Sequence, residues 1–276
     1  MMKPYYETKL GKLYHGDCLE IMPQLEPVDL VLTDPPYGTT ACSWDIVIPL
    51  EPMWEQLKRI IKKNGAVVLF GNQPFTTVLI SSNMEMYKYD WIWEKIKAGN
   101  FIQAKNNPLK LHENICVFSN GVVIHKGQST KRMPYNPIGV KDVAKKWHRP
   151  KIYDSEHNYK RPSHTTDRII NQECFPNSII KINSIHNPPH PTQKPVELME
   201  YLIKTYSNEE QTVLDFAIGS GTTAIACERL KRKWIGIEIE EKYCEIAAKR
   251  IEGNLTMMER IKRSEKSITK KTGLLF

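Results

Sequence analysis

The feature of this sequence that most constrains its fold is an alternation of short apolar runs with segments of helical period, found in two blocks at opposite ends of the chain. In the clearer block, Pro195–Leu255, strands predicted at Thr212–Phe216 and Trp234–Ile239 alternate with helices. Such alternation is typical of parallel strands joined by right-handed crossovers, and apolar strands of this kind are buried on both faces. We therefore predict an α/β fold with a doubly wound, mainly parallel sheet. The helices predicted in this block are Pro195–Tyr206, Thr222–Lys231 and Glu241–Ile251.

The other block occupies about Leu10–Asn120. Its clearest unit is a helix predicted at Pro52–Asn64, with Asn64-Gly65 as a C-cap, followed by a buried strand at Ala66–Phe70. Strand and helix again alternate, which favours the same fold class for this block. The remaining elements predicted here are strands at Leu13–Asp17, Val28–Asp34, Tyr89–Glu94 and Asn114–Phe118 and a helix at Gln73–Asn83.

Between the two blocks, Gly121–Pro189 is rich in Pro, Asn, His and Tyr and shows no sustained period, which indicates an insertion. Within it, Gly121–Lys181 contains twelve Lys or Arg against five acidic residues and so carries +7 of the net charge of +8. Concentrated positive charge favours a polyanionic partner, although a solvated basic face has the same composition. We expect 1–120 and 190–255 to be two halves of one domain, 121–189 to be the insertion, and 256–276 to be a basic tail.

The composition narrows the class of protein. Of the 276 residues, 41% are hydrophobic and 25% are charged, as in ordinary globular chains, and the apolar runs are far shorter than the roughly 20 residues of a membrane helix. The N-terminus lacks the features of a secretory signal, so we expect a cytoplasmic protein. The six cysteines are scattered without a Cys-x-x-Cys pair, and neither a metal site nor a disulfide framework is predicted.

A glycine loop, Gly219-Ser220-Gly221-Thr222-Thr223-Ala224, follows the predicted strand Thr212–Phe216. It fits the pattern G-x-G-x-x-G/A between a strand and a helix, with Glu238 about twenty residues further on. The glycines of such a loop allow close approach to a ligand, and the acid accepts hydrogen bonds from ribose hydroxyls. Asp215, at the start of the loop, adds a carboxylate suited to an ammonium group, which dinucleotides lack. The loop therefore favours an adenosine-type ligand over a structural turn.

A second motif, Thr33-Asp34-Pro35-Pro36-Tyr37-Gly38, follows the predicted strand Val28–Asp34. Consecutive prolines hold the backbone extended and donate no main-chain hydrogen bonds, so the Pro35 carbonyl is free to face a ligand. Asp34 supplies a second acceptor, and Tyr37 supplies an aromatic face. Two acceptors beside an aromatic plate suit a planar ring with an exocyclic amino group, whereas Asp-Pro-Pro alone would indicate only a turn.

Four motifs together resemble one family. Asp34–Tyr37 resembles the catalytic D-P-P-Y motif of S-adenosylmethionine-dependent amino methyltransferases that act on DNA, and Asp215–Thr222 resembles their cofactor loop. His15–Cys18 is similar to the family's motif near the cofactor adenine, and His190–Pro195 to its motif for the methionine carboxylate. The catalytic motif, the basic insertion, the His190–Pro195 motif and the cofactor loop follow one another in the permuted order of the family's beta group. The resemblance covers about Lys9–Ile251.

The resemblance implies S-adenosyl-L-methionine as the cofactor and DNA as the substrate. The insertion Gly121–Pro189 would then recognise the target, because cations that neutralise phosphates provide affinity for DNA. The cofactor-binding residues implied are Asp17 and Cys18 at the adenine, Thr192, Gln193 and Lys194 at the carboxylate, Asp215 at the amino group, Glu238 at the ribose, and Phe216, Gly219, Gly221 and Thr222 in the loop itself.

The catalytic residues implied are Asp34, Pro35, Pro36 and Tyr37. An exocyclic amino group is a poor nucleophile because its lone pair is delocalised into the ring. Asp34 and the Pro35 carbonyl would accept its two N–H groups, while Tyr37 would stack on the base after it is flipped from the duplex. The D-P-P-Y form favours the N6 amino group of adenine, and the N4 group of cytosine is the alternative.

Two alternatives of other classes remain. A catalytically silent DNA-binding protein of the same fold would also carry the basic insertion, but it would not need Asp34, Tyr37, Asp215 and Glu238 intact. A nicotinamide-dependent oxidoreductase would share the glycine loop and the ribose acid, but it gives no role to the Asp34 motif. A homodimer and a cognate restriction endonuclease are further partners considered from the resemblance.

Overall fold

The strands that carry the predicted motifs all belong to one nine-stranded sheet. The structure is a computed structural model that describes residues 2–39, 42, 45–99, 102, 104–123, 129–147, 168–184 and 193–272. The strands are β1 (Tyr6–Glu7), β2 (Gly11–His15), β3 (Val28–Thr33), β4 (Ile61–Gly71), β5 (Tyr87–Gly99), β6 (Lys110–Ser119), β7 (Lys141–Trp147), β8 (Arg168–Glu173), β9 (Ile179–Lys181), β10 (Thr212–Asp215) and β11 (Lys233–Glu238).

The order of strands in the sheet is β1-β2-β11-β10-β3-β4-β6-β5-β9. The five strands from β2 to β4 are parallel neighbours, and β6 is antiparallel to both β4 and β5. Since β9 is parallel to β5, seven of the nine strands run in one direction, which confirms the predicted doubly wound, mainly parallel sheet. The chain leaves β10 and β3 toward opposite edges, and sheets of this kind bind ligands beyond the strand ends at such a reversal.

Helices cover both faces of the sheet. In β3, Leu30 and Leu32 pack into one apolar core with α4, α5 and α6, while Val31 packs into the other with α1, α2 and α3, and all three side chains are fully buried. This two-sided burial is the reason that the strand reads as a continuous apolar run. None of the helices described is both long and apolar enough to cross a membrane. The helices are α1 (Cys18–Ile21), α2 (Leu50–Ile60), α3 (Phe75–Ser81), α4 (Val196–Tyr206), α5 (Thr222–Leu230) and α6 (Glu241–Thr272).

Two predicted helix ends were wrong. Helix α2 ends at Ile60 rather than Asn64, because β4 begins at Ile61 and pairs there with Val28 of β3. Gly65 is therefore a strand residue, and a Cβ at this position would lie 2.7 Å from the Asp29 carbonyl oxygen. Helix α6 continues through the predicted basic tail to Thr272, and around Gly253 there is open space where a Cβ would project.

The chain divides into two compact units. The first, Met1–Asn136 with Ser178–Phe276, contains the nine-stranded sheet, and the second, Pro137–Asn177, contains the antiparallel pair β7 and β8. The second unit covers a shorter range of the sequence than the predicted insertion 121–189. Met133 is buried in the core of the first unit, and β9 extends its sheet. That the insertion recognises a target stays a prediction.

Candidate active site

A cavity of about 650 Å³ is lined by residues that follow the carboxyl ends of β2, β3, β10 and β11. Both its place and its size are those of ligand sites in doubly wound sheets. Thirteen of the predicted site residues line it, so the fold brings motifs from both ends of the sequence to one place. They are Asp17, Cys18, Asp34, Pro35, Pro36, Tyr37, Gln193, Lys194, Asp215, Phe216, Gly219, Thr222 and Glu238.

Among the predicted site residues that the structure describes, only Gly221 is not in this lining. Gly221 is the N-cap of α5 with φ +81°, and a Cβ there would lie 3.0 Å from the Cβ of Ala247 in α6. Its position therefore requires glycine for backbone conformation and for helix packing. Thr192 lies outside the residues that the structure describes.

The Asp34 loop is held by a carboxylate that the sequence did not single out. Buried Asp45 accepts hydrogen bonds from the backbone N–H groups of Tyr37 (2.8 Å), Gly38 (2.9 Å) and Thr39 (2.9 Å). The Tyr37 hydroxyl donates to Oδ1 of Asp34, and the Tyr37 ring lies against Phe75 at 5.1 Å between centroids. The side chains of Asp34 and Tyr37, which are predicted to contact the target base, are thus held in place by neighbouring residues.

Lys194 connects the Asp34 loop to the antiparallel part of the sheet. Its Nζ forms an ion pair with Oδ2 of Asp34 and lies 3.4 Å from Oε2 of Glu113 on β6. Oε1 of Glu113 is in turn paired with Nζ of Lys95 on β5. The Lys194 side chain is only 7% exposed, and its ammonium group also lies 5.0 Å from the centre of the Phe70 ring. Glu113 and Lys95 line the same cavity.

The charged groups of this cluster shift one another's pKa values. Burial raises the pKa of Asp34, and Lys194 is the strongest influence that lowers it. Although burial alone would raise the pKa of Glu113, the ammonium groups of Lys194 and Lys95 bring it below the ordinary value. Although burial alone would lower the pKa of Lys194, Asp34 and Glu113 raise it above the ordinary value.

Asp215 presents a different environment. It is the last residue of β10, and its buried side chain accepts hydrogen bonds from the Thr223 hydroxyl and from the Ala217 N–H (3.2 Å). Burial raises the pKa of Asp215 to about 7, and the hydrogen bond from Thr223 opposes that rise most strongly. The donors found among the described residues are neutral, so this carboxyl has no protein cation beside it in the part of the chain described.

Glu238 and Asp17 support the backbone of the site. Glu238 accepts hydrogen bonds from the N–H groups of Gly219 (2.8 Å) and Glu240 (3.0 Å), and burial raises its pKa. Asp17 accepts from the Leu19 N–H (2.8 Å) and so caps α1. Both carboxylates also line the cavity, where further lone pairs remain for a ligand.

A family model described as DNA methylase, of the N6/N4 methyltransferase type, matches residues 28–249. The chain belongs to this DNA methylase family. The type II methyltransferase M.BamHI of Bacillus amyloliquefaciens is 28% identical over 263 residues, which cover 91% of this chain but only 59% of that protein. The DNA adenine methyltransferase YhdJ of Escherichia coli K12 is 26% identical over 254 residues, 87% of this chain and 82% of that protein. The M1.HpyAVI structure solved as a complex with SAM superposes with a TM-score of 0.58 at 26% identity, covering 87% of this chain and all of that one.

Membership of the DNA methylase family confirms the resemblance that the four motifs predicted, and it argues against the oxidoreductase alternative. What motif analysis of this methylase missed lies mostly outside the motifs. Lys95, Glu113 and Asp45 occupy strands or loops without a recognisable pattern, and Glu113 reaches the site only through its register opposite Trp93 on β5. Thr223 stands inside the glycine loop, but nothing in the loop pattern marks it as the partner of Asp215.

The link between His190–Pro195 and the glycine loop is visible at Gln193. Its Oε1 accepts a hydrogen bond of 3.0 Å from the Ser220 hydroxyl. The Arg250 guanidinium, from α6, contacts the carbonyl oxygen of Ser220 and lies 2.7 Å from its hydroxyl oxygen. In this methylase the segment before α4 is therefore anchored directly to the loop.

Proposed function

We propose that this methylase transfers a methyl group from S-adenosyl-L-methionine to the exocyclic N6 amino group of an adenine flipped out of DNA. The observation that carries the proposal is the meeting of Asp34 and Asp215, which lie at the carboxyl ends of the adjacent parallel strands β3 and β10 and line one cavity. One carboxylate serves an amino group of the substrate and the other an amino group of the cofactor. The similarity to the DNA adenine methyltransferase YhdJ supports adenine as the target, and the similarity to M1.HpyAVI, solved as a complex with SAM, supports the cofactor.

The residues of the cavity fit the cofactor. Asp215 offers a buried carboxylate to an ammonium group, and Glu238 offers one to ribose hydroxyls. Phe216 and Ile239 give apolar walls for a purine, and Gly219 lets the backbone approach closely. When bound, S-adenosylmethionine would supply an electrophilic methyl group: the electrons of its carbon–sulfur bond would go to sulfur as the carbon–nitrogen bond forms, and the methylated nitrogen would then release one proton to solvent.

The protein's own part in the reaction is to position and polarise. Asp34, ionised, accepts one N–H of the amino group, and the Pro35 carbonyl accepts the other, which draws the nitrogen toward a tetrahedral geometry and recovers its lone pair. Tyr37 holds the base by stacking, with Phe75 behind its ring. Such fixed acceptors are effective because they need no reorganisation as the reaction proceeds.

The target base is tested directly. The purified protein is incubated with methyl-labelled S-adenosylmethionine and unmethylated genomic DNA, and the DNA is digested to nucleosides for mass spectrometry. We expect N6-methyladenine. N4-methylcytosine alone would overturn the assignment to adenine, and binding of cofactor and DNA with no label in either base would favour the catalytically silent alternative.

The second unit, together with the basic residues of the segment Gly121–Lys181, is proposed to recognise the DNA target. Phosphate contacts from Lys and Arg orient a protein on the duplex, while base contacts select the sequence. The homodimer, the restriction endonuclease partner and the cytoplasmic location likewise stay predictions, for which the family similarity is the only support.

A further inference from the structure

The cavity wall formed by β5 and β6 is used by none of the predicted motifs, yet its Lys95 and Glu113 begin a chain of largely buried charges that ends at Asp34. Lys95, Glu113, Lys194 and Asp34 follow one another with alternating sign, and the Tyr37 hydroxyl ends the chain at Asp34. The exposed fractions of the four charged side chains are 24%, 12%, 7% and 19%. Burying four charges costs free energy of folding unless each is paired with an opposite charge, and even paired charges add little stability. The arrangement therefore indicates a role other than stabilising the fold.

We propose that Lys194 and Glu113 are positioning residues: Lys194 keeps Asp34 ionised and correctly oriented as an acceptor for the target amino group, and Glu113 shares the ammonium group of Lys194 so that Asp34 is not fully neutralised. The proposal rests on the proposed function and assigns Lys194 to the substrate half of the site instead of to the cofactor carboxylate. Glu113 acts through Lys194, and Lys95 acts through Glu113.

The chemistry of Asp34 requires this support. An ionised carboxylate is only an acceptor, whereas a protonated one donates through one oxygen and would compete with the N–H groups of the base. Tyr37 donates to one oxygen and Lys194 to the other, which fixes the carboxylate plane. Each oxygen has a second lone pair for the amino group. Asp34 lines the cavity, so those positions are within reach of a base.

Glu113 completes the arrangement because a single ammonium shared by two carboxylates binds each of them less tightly. Without Glu113, Lys194 would neutralise Asp34 alone and weaken it as an acceptor. The titratable groups that face Asp34 come from several elements: Tyr37 on its own loop, Lys194 before α4, Glu113 on β6 and Asp215 at the end of β10. Lys95 on β5 faces Glu113.

The test is the pH dependence of kcat at saturating cofactor and DNA, conditions under which the ionisation of Asp215 does not limit binding. Lys194→Met removes the nearest cation and leaves Asp34 beside Glu113. We expect the acidic limb to move to higher pH by about 1–3 units, the usual effect of an opposite charge on a carboxyl pKa. Glu113→Gln added to Lys194→Met removes the like charge and should move the limb back, and Lys194→Arg should retain most of the activity at neutral pH.

Lys62→Met is the matched control. Nζ of Lys62 lies 2.8 Å from Oδ1 of Asp29 at the amino ends of β3 and β4, whereas the cavity lies at the carboxyl ends of the parallel strands. Its substitution should leave the pH profile unchanged. A Lys194→Met enzyme that needs more cofactor but keeps the wild-type profile would overturn the proposal in favour of a role at the cofactor carboxylate.

If Lys194→Met does not fold, as judged by circular dichroism, Glu113→Gln alone decides the question. Loss of the like charge should move the acidic limb to lower pH, and an unmoved limb would overturn the proposal. Absence of methyl transfer by the wild-type protein at every pH would refute the proposed function itself, which is a different result from an active wild type with unmoved variants.

Discussion

The two halves of the site solve the same electrostatic problem in different ways. Asp34 and Asp215 are both carboxylates in the interior, at the carboxyl ends of the neighbouring strands β3 and β10. Asp34 is paired with the ammonium group of Lys194, whereas Asp215 has hydroxyl and amide donors around it. One carboxylate is neutralised by the protein, and the other is left for a positive charge that arrives from outside.

This difference has a thermodynamic consequence for the ligand-free protein. Burial raises the pKa of Asp215 from 3.8 to about 7. A carboxyl with a raised folded pKa contributes its full stability below the unfolded value and loses that contribution as pH rises through the folded one. The ionised Asp215 therefore destabilises the ligand-free protein near neutral pH, and a bound ammonium group would relieve the cost. The negative charge of Asp34 is already paired with the ammonium group of Lys194, so Asp34 can accept a hydrogen bond from a neutral amino group.

The largest effect expected is on methyl transfer by Asp34→Asn. Asparagine places a donor where the target amino group needs an acceptor, and it loses the ion pair with Lys194. We expect the single-turnover rate to fall by at least about 100-fold, as for the loss of other preorganised groups at reacting atoms. Cofactor affinity, measured by calorimetry, should change little because Asp215 is untouched.

Asp29→Asn is the control for this change. Asp29 lies at the start of the same strand, pairs with Lys62 and accepts a hydrogen bond of 3.0 Å from the Thr212 N–H. Its replacement should cost some stability but leave transfer intact in the folded protein. An Asp34→Asn enzyme with the wild-type rate would break the comparison, since the ion-paired carboxylate would then have no part in the chemistry.

The next effect in size is the pH dependence of cofactor binding. An ammonium group favours the ionised form of Asp215, so affinity should be highest above the pKa of about 7 and fall as pH decreases below it. The decrease approaches about 10-fold per pH unit well below the pKa. Calorimetry at acidic to neutral pH, in buffers of different ionisation enthalpy, should also show release of a proton on binding.

The Asp215→Asn variant tests whether the pH dependence of cofactor binding comes from Asp215 or from another titratable group. The variant should bind the cofactor weakly at neutral pH, and its affinity should no longer decrease between pH 7 and about pH 5, a range in which an ordinary α-amino group stays protonated. The ligand-free variant should melt at a higher temperature than the wild type above pH 7, because a buried charge has been removed. A variant that keeps the wild-type slope would assign the titration to another group, such as Glu238.

The sequence predicted much of the parallel core, because the apolar runs of β3 and β10 lead directly into the motifs that contain Asp34 and Asp215. It failed where tertiary pairing decides. Ile61–Asn64 has helical spacing with the residues before it, yet pairing with β3 makes it strand. Glu113 and Lys95 meet only through the antiparallel register of β5 and β6, which no local pattern encodes. Lys194 could be placed in the site from its motif, but its pairing with Asp34 and Glu113 could not be predicted.

The smallest effect expected is that of Thr223→Val. The Thr223 hydroxyl donates to Oδ2 of Asp215, which stabilises the ionised form, and valine keeps the shape of the buried side chain without that donor. A hydrogen bond to a charged group of this kind corresponds to about one pH unit. The decline in cofactor affinity should therefore begin about one pH unit higher, with the slope unchanged.

Thr205→Val is the control, at a buried threonine of α4 whose hydroxyl donates to the Tyr201 carbonyl, and it should leave the pH profile unchanged. A profile that moves equally in both variants would mean that the shift reflects general loosening of the fold, and the contrast between Asp34 and Asp215 would lose its support in neutral donors.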